Sequence, residues 1–198
     1  MDDTGTFLAE PEPTEPAKAL YAEDRDGDGY VMNLTRLWAH APAAHDGFVA
    51  LLDAATSAGD LTFRQKSVLV SAVASTLGDS YCSLAWDTRL AGEVGDETAA
   101  AVLTGDDTGL DPAEQALARW ARAVARDSNG TTPEDVQALR DAGLGDAQIF
   151  AVTAYVAGRV AFSTVNDALG ARPDAELLAQ APEAVRAAVY WGRPPAQD

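Results

Sequence analysis

An all-α fold follows from three features of the sequence. From Asn33 onward, apolar residues recur at spacings of three and four, the mark of helices with one buried side. Pro or a Thr/Asp cap opens several of these segments and Gly closes them. No run alternates apolar and polar residues over the length of a strand. The 198 residues, 47% hydrophobic and 23% charged, suffice to bury a core without disulfide or metal support.

The first 30 residues contain Pro11, Pro13 and Pro16 and then the polar stretch DRDGDG (24–29). Prolines at that density predict an extended arm with one short helix near 17–23, so residues 1–30 are read as an N-terminal arm and 31–198 as a helical domain. NLTRLWAH (33–40) predicts a short helix stopped before Pro42. PAAHDGFVALLDAATSAG (42–59) begins with Pro, ends with Gly and lines Phe48, Leu51, Leu52 and Ala55 along one face. The helix over 62–77 has Thr62 as its cap, and the width of its apolar face predicts a central position. A break at Gly78 leads to a helix over 79–93. Asp111, Pro112 and Glu114 open a helix over 110–126; Thr132, Pro133 and Asp135 open another over 131–143. A long helix over 146–169 and two weaker ones, near 174–180 and 182–190, complete the chain. The starts at Leu61-Thr62 and Leu110-Asp111, and the turns AGEVGDET (91–98) and DAGLGDAQ (141–148), repeat about fifty residues apart, an internal echo that an Ala-rich chain also produces by chance.

Composition narrows the function classes. Thirty-one acidic residues against 14 basic ones give a net charge of −17, which repels phosphate backbones and anionic lipid and so predicts neither nucleic-acid nor membrane partners. One cysteine excludes an internal disulfide and a cysteine-rich zinc site. Arg159 and Lys66 interrupt the two longest apolar stretches, so no membrane span is expected, and MDDTGTFLAEPEPTEP lacks the basic and apolar regions of a secretion signal. The expected location is cytoplasmic. Arginine in excess of lysine and abundant alanine suggest a GC-rich bacterial genome.

Two constellations invite a metal reading and fail it. Asp24, Asp26 and Asp28 with Gly29 match positions one, three, five and six of a calcium loop, but position twelve is Thr35, so the closing bidentate carboxylate is missing and a solvated acidic turn is expected. His40 and His45 lie five apart across Pro42 and share no helical face, so surface or capping roles are expected. No cofactor is expected: the chain has no glycine-rich phosphate loop, no nucleophile elbow and no His-rich segment.

The segment LTFRQKSVLVSAVASTLGDSYCSLAWDTRLAGEVG (61–95) carries the chemistry. On a helix, Asp79, Cys82 and Trp86 fall at i, i+3 and i+7 and emerge on one face, with Ser67 twelve residues before Asp79. This segment resembles the alkylhydroperoxidase-D-like (AhpD-like) and carboxymuconolactone decarboxylase superfamily, whose redox motif is Glu, eleven residues, Cys, two residues, Cys, three residues, His. NLTRLWAHAP (33–42) resembles the family's leading helix and VNDALGARPD (165–174) its closing segment, so the likeness covers about residues 30–174. It implies an AhpD-like bundle with a central helical hairpin, and a homo-oligomer (dimer, trimer or hexamer).

The departures from that motif shape the functional reading. Ser67 stands at the family's Glu position, Asp79 at its first Cys and Trp86 at its His; Cys82 alone is kept, so a two-thiol cycle cannot run within one subunit. Asp79 and Cys82 are the candidate catalytic residues. Arg159, the one charge within IFAVTAYVAGRVAF (149–162), requires a carboxylate or an anionic ligand, and Asp79 or a substrate carboxylate would serve. Trp86, Ser67, Tyr81, Tyr155 and Asn166 complete the candidate substrate-binding set. Each has a bland counterpart: Cys82 and Trp86 as core residues, Asp79 as a helix cap. Three readings stay open. One is a small-molecule enzyme repurposed for cofactor-independent acid–base chemistry (decarboxylation, isomerisation or cyclisation of a carbonyl compound, in a setting such as secondary metabolism). Another is a one-cysteine hydroperoxide reductase, a peroxidase using Cys82 and an external thiol. The third is a non-catalytic, oligomeric ligand-binding protein.

Overall fold

The computed structural model describes residues 5–196. Among them the chain forms α1 (Glu15–Gly27), α2 (Asn33–Trp38), α3 (Pro42–Gly59), α4 (Phe63–Leu77), α5 (Ser80–Val94), α6 (Asp96–Thr104), α7 (Pro112–Asp127), α8 (Pro133–Asp141), α9 (Asp146–Ala168), α10 (Ala175–Gln180) and α11 (Glu183–Ala188), and no strand. The all-α class expected from apolar periodicity is the class observed.

α4 is the axis of the bundle. Val68, Leu69, Val70, Ala72, Val73 and Ala74 are all at most 1% exposed, and the helix packs against α5, α7 and α9. Each fully buried Val or Leu there stabilises the fold by about 1.5–3 kcal/mol relative to an exposed one. Thr62 and Gln65 close a capping box at its start, and Asp111 with Glu114 does the same for α7. The two starts are also bridged: Arg64 donates to both oxygens of buried Glu114, at 2.6 and 2.7 Å. The repeated grammar of the sequence thus marks α4 and α7, which lie side by side. At the far end of α4, Gly78 takes the left-handed conformation (φ +74°) that turns the chain directly into α5, forming the expected central hairpin.

The short helix expected near 17–23 in the N-terminal segment is present and longer than expected. Pro16 sits in the first turn of α1, where its missing N–H costs nothing, and the helix runs on through Gly27. The DRDGDG stretch is therefore not wholly a solvated turn. Asp24 lies within α1, is 8% exposed, and its Oδ2 accepts the Met32 N–H at 2.9 Å. It fixes the link into α2, and no group of three acidic, His or Cys side chains suited to a metal occurs among the described residues.

Both ends of the described chain converge on the start of α5. Ser80 Oγ donates to the Arg193 carbonyl (2.8 Å) and accepts the Arg193 N–H (3.1 Å), tying residues 189–196 across the helix as a strap. The Arg193 guanidinium lies 4.5 Å over the Phe7 ring and donates to the Asp167 carbonyl at 3.0 Å. The Phe7 N–H in turn donates to the Leu169 carbonyl at 2.9 Å.

α9 is long and apolar enough to cross a membrane by length and composition, contrary to the expectation that Arg159 would exclude it; here it is a core helix packed on α3, α4 and α7. α3 raises a different question, because only Ala55 and Gly59 of its 18 residues are buried. Val49 and Leu51 on it are 41% and 48% exposed. α3 carries only two acidic residues, Asp46 and Asp53, in a chain of net charge −17, so a second copy docking there would meet little of the repulsion present elsewhere. We propose that this face packs against a second copy of the chain. Sedimentation is expected to show a homo-oligomer at micromolar concentration, shifted toward monomer by Val49→Asp with Leu51→Asp; a monomer in both proteins, or an oligomer unaffected by the substitutions, would refute the assignment.

Candidate functional site

The Gly78 turn delivers Asp79 to the cap of α5. Its Oδ1 accepts the Cys82 N–H at 2.8 Å, as the cap reading requires. Capping uses only half of the carboxylate. Asp79 is 0% exposed, and Oδ2 is buried with no hydrogen-bond partner. A buried carboxylate oxygen without a donor is costly and points to chemistry or a ligand.

One turn on, Cys82 is 2% exposed and receives the Arg159 guanidinium from α9, with Nη2 3.4 Å from Sγ. Arg159 is held by rings as well as by sulfur: its Cζ lies 5.2 Å from the Trp86 centroid and 4.8 Å from that of Phe162. Its Nε is buried and unpartnered. Among the described residues no carboxylate lies within ion-pair distance of this 5%-exposed cation. Asp79 and Arg159 do not pair directly; they flank the same thiol.

Those two charges act on Cys82 with opposite sign. Burial is the largest influence and pushes the thiol well above its ordinary value, and the Asp79 carboxylate pushes it further. Arg159 pulls it down, as does the Ser163 hydroxyl. The resting sulfur is a neutral thiol beside a base and a cation. The hydroxyl of Tyr155, one turn before Arg159 on α9, is raised by burial, lowered by Arg159 and raised by Cys82 and Asp53, which places it within the same electrostatic cluster. Tyr155, Arg159, Ser163 and Asn166 therefore form one stripe along α9, at steps of four, four and three.

Asn166 extends that stripe. It is 0% exposed, its Oδ1 accepts the Trp38 Nε1–H at 2.9 Å, and its Nδ2 is buried without a partner. Trp38 stacks on Phe162 with centroids 5.1 Å apart and planes 9° apart, and meets His45 edge-on at 6.0 Å. His45 thus sits against an aromatic cluster, while His40 Nε2 lies 3.0 Å from the Ala9 carbonyl.

Trp86 is half-buried and joins the site to the surface. Its neighbours include Phe63 at 6.2 Å and Arg89 at 5.6 Å, with Phe63 45% exposed. Asp79, Cys82, Arg159 and Trp86 thus come together, with Tyr155 and Asn166 on the same stripe of α9. Two predicted residues lie elsewhere. Ser67 is fully buried and donates to the Phe63 carbonyl at 3.0 Å, within its own helix. Tyr81 is turned away from the sulfur, packs on Ala85, Ala171 and Leu177, and donates to Asp174 Oδ2. Burial pushes Asp174 up to about 6, against the lowering influence of Tyr81 and the Asn33 N–H.

Three further side chains were not singled out from sequence. Ser163 follows Arg159 by one turn, a spacing that could have exposed it. Half-buried Asp167 is pushed up to about 7 by burial first and the Asp79 charge second, with Arg193 opposing. Asp87, fully buried on α5, accepts the Ser71 hydroxyl at 2.7 Å and is raised by burial. An acidic residue in a helix gives no sequence sign of which way it faces.

No family model and no curated protein matches the sequence. Solved structures do match. An uncharacterised peroxidase-related protein from Ralstonia eutropha JMP134, with an alkylhydroperoxidase AhpD core, aligns with TM-score 0.77 and 23% identity over 96% of this chain and 98% of its own. An uncharacterised peroxidase-related protein from Silicibacter sp. TM1040 gives TM-score 0.77 and 19% identity over 87% and 94%. A Cys→Ala variant of the debrominase Bmp8, in complex with 2,3,4-tribromopyrrole, gives TM-score 0.69 and 16% identity over 87% and 95%. Across nearly its whole length, this chain has the fold of the AhpD core.

Proposed function

We propose that this protein is a small-molecule enzyme centred on Cys82, which reduces an electrophilic substrate at the expense of an external thiol. The observation that carries this reading is the position of Arg159, whose Nη2 lies 3.4 Å from the sulfur and not on Asp79. A guanidinium against sulfur stabilises the thiolate that a reaction must generate. Asp79 Oδ2, buried and without a donor, is the acceptor for the thiol proton. With a hydroperoxide, the thiolate attacks the distal oxygen, the O–O bond breaks, and the alcohol leaves with the proton that Asp79 has taken. The resulting sulfenic acid condenses with one external thiol, releasing water. A second thiol frees Cys82 and forms the external disulfide. That requirement follows from the single cysteine of the chain. Two of the structural neighbours are named as peroxidase-related and the third as a debrominase crystallised with a bromopyrrole, so a hydroperoxide and a bromopyrrole are the two electrophiles to test.

The orphaned Asp79 oxygen also favours a second reading, cofactor-independent acid–base chemistry on a carbonyl compound in which Asp79 works alone. Turnover of tert-butyl hydroperoxide and of 2,3,4-tribromopyrrole with dithiothreitol separates the two. The thiol reading expects consumption of at least one, abolished by Cys82→Ser and reduced about 100-fold by Asp79→Asn. Full activity in Cys82→Ser, or no consumption of either compound by the wild-type protein, would overturn it. Loss of activity in Asp79→Asn alone would transfer the role to acid–base chemistry.

A further inference from the structure

Arg159 is a buried cation with no anion in contact. Its polar contact is a sulfur, and its Nε–H is unsatisfied. Burying a charge in that state is expensive, and the ordinary remedy is an anion that arrives with the ligand. Asn166 has a matching deficit. Because an indole N–H can only donate, the Trp38 Nε1–H at 2.9 Å fixes the amide with Oδ1 toward Trp38, leaving both Nδ2 protons without an acceptor. Trp38 is itself held by its stack on Phe162, the ring that also supports Arg159. Two preorganised donors on one stripe of α9, one of them charged, thus lack acceptors within the protein.

We propose that Arg159 Nε binds the carboxylate of a small organic anion and that Asn166 Nδ2, two turns and about 10 Å further along α9, takes a second oxygen of the same molecule. The substrate class is then a carboxylate carrying a further carbonyl, hydroxyl or carboxyl oxygen, with its reactive centre toward Cys82. Asn166 is the specificity-determining member, with Trp38 as the residue that positions its amide. The inference rests on the Cys82-centred reading for the direction of the reactive centre, but the anion site is tested without any turnover. The Cys82→Ser protein is titrated with a series of carboxylates, from acetate through 2-oxo and 2-hydroxy acids to short dicarboxylates, with the matching amides as neutral isosteres and with nitrate. Calorimetry and melting temperature are the readouts. At least one carboxylate is expected to bind and raise the melting temperature with concentration, at least tenfold more tightly than its amide and than nitrate. Asn166→Asp keeps the acceptor for Trp38 but removes the donors, and is expected to abolish that binding. Trp38→Phe keeps the ring stack but frees the amide, and is expected to weaken binding several-fold with the fold intact. Equal affinity for carboxylate and amide, an Asn166→Asp protein that binds as well as its parent, or no binding by any carboxylate would each overturn the proposal. Binding here together with failure of the thiol assay would sink the catalytic reading and leave the anion site standing.

Discussion

Replacing Arg159 with leucine and Asp79 with asparagine is expected to move the titration of Cys82 in opposite directions. The thiolate is read as the rise in ultraviolet absorbance with pH, after subtracting the same titration of Cys82→Ser, and the single cysteine makes the difference a one-site signal. In the wild-type protein the rise should come well above the ordinary thiol range, because burial dominates and Asp79 adds to it. The sign of the linked stability follows. A thiol raised on folding favours the protonated native state, so its contribution is present below the unfolded thiol value and is lost as pH climbs through the folded one. Arg159→Leu removes the stabilising cation and pushes the rise higher still. Asp79→Asn removes the opposing anion and brings it down. Each displaced pH unit changes the thiolate fraction at fixed pH by about tenfold. Shifts in the same direction, or a thiol titrating in the ordinary range in all three proteins, would mean that these charges do not act on the sulfur. The pair also separates roles that activity alone confounds: under the proposed mechanism Asp79→Asn should yield more thiolate and yet less turnover, because it removes the proposed proton acceptor while making the nucleophile easier to form.

Gly192→Val should release the C-terminal strap. Gly192 has φ +73°, and a Cβ there would lie 2.6 Å from the Gly78 carbonyl oxygen and 2.7 Å from Ser80 Oγ. The first of these neighbours is backbone at the α4–α5 turn and cannot step aside without moving Asp79. Left-handed strain and the steric clash together cost about 2–4 kcal/mol. The cheapest relaxation is loss of the Ser80–Arg193 clamp, which also frees Arg193 from Phe7 and from the Asp167 carbonyl. The expected result is a lower melting temperature, with helical content retained and cleavage by protease appearing near Trp191. A melting temperature and proteolysis pattern equal to wild type would show that the strap contributes nothing to closing the start of α5.

Most helix boundaries were written locally. Asp111 with Glu114 and Thr132 with Asp135 form the boxes that their spacing announces, Thr62 caps α4 as expected with Gln65 completing its box, and Pro42, Pro112 and Pro133 stand in first turns. Where local reading failed, a neighbouring residue had reversed its meaning. The short helix expected near 17–23 runs from Glu15 to Gly27, because Pro16 fits its first turn; Asp24 looked solvated and is a buried acceptor. Three consecutive-looking candidates on one helix show the limit more sharply. Cys82, Trp86 and Tyr81 lie within six residues, yet the first two meet Arg159 while Tyr81 pairs with Asp174, ninety-three residues away.

The sequence by itself determined the helical class, the break at Gly78, and the presence of a lone thiol on one helix and of a single arginine inside another apolar helix, because these rest on spacings within one or two turns. Only the tertiary structure decided what that arginine touches. Its choice of sulfur and two aromatic rings over the Asp79 carboxylate, and the pinning of the Asn166 amide by Trp38, depend on the packing of α9 against helices more than sixty residues away. Periodicity reports which side of a helix is buried, but the partner of a buried polar atom is set by the side chain that packing brings opposite it.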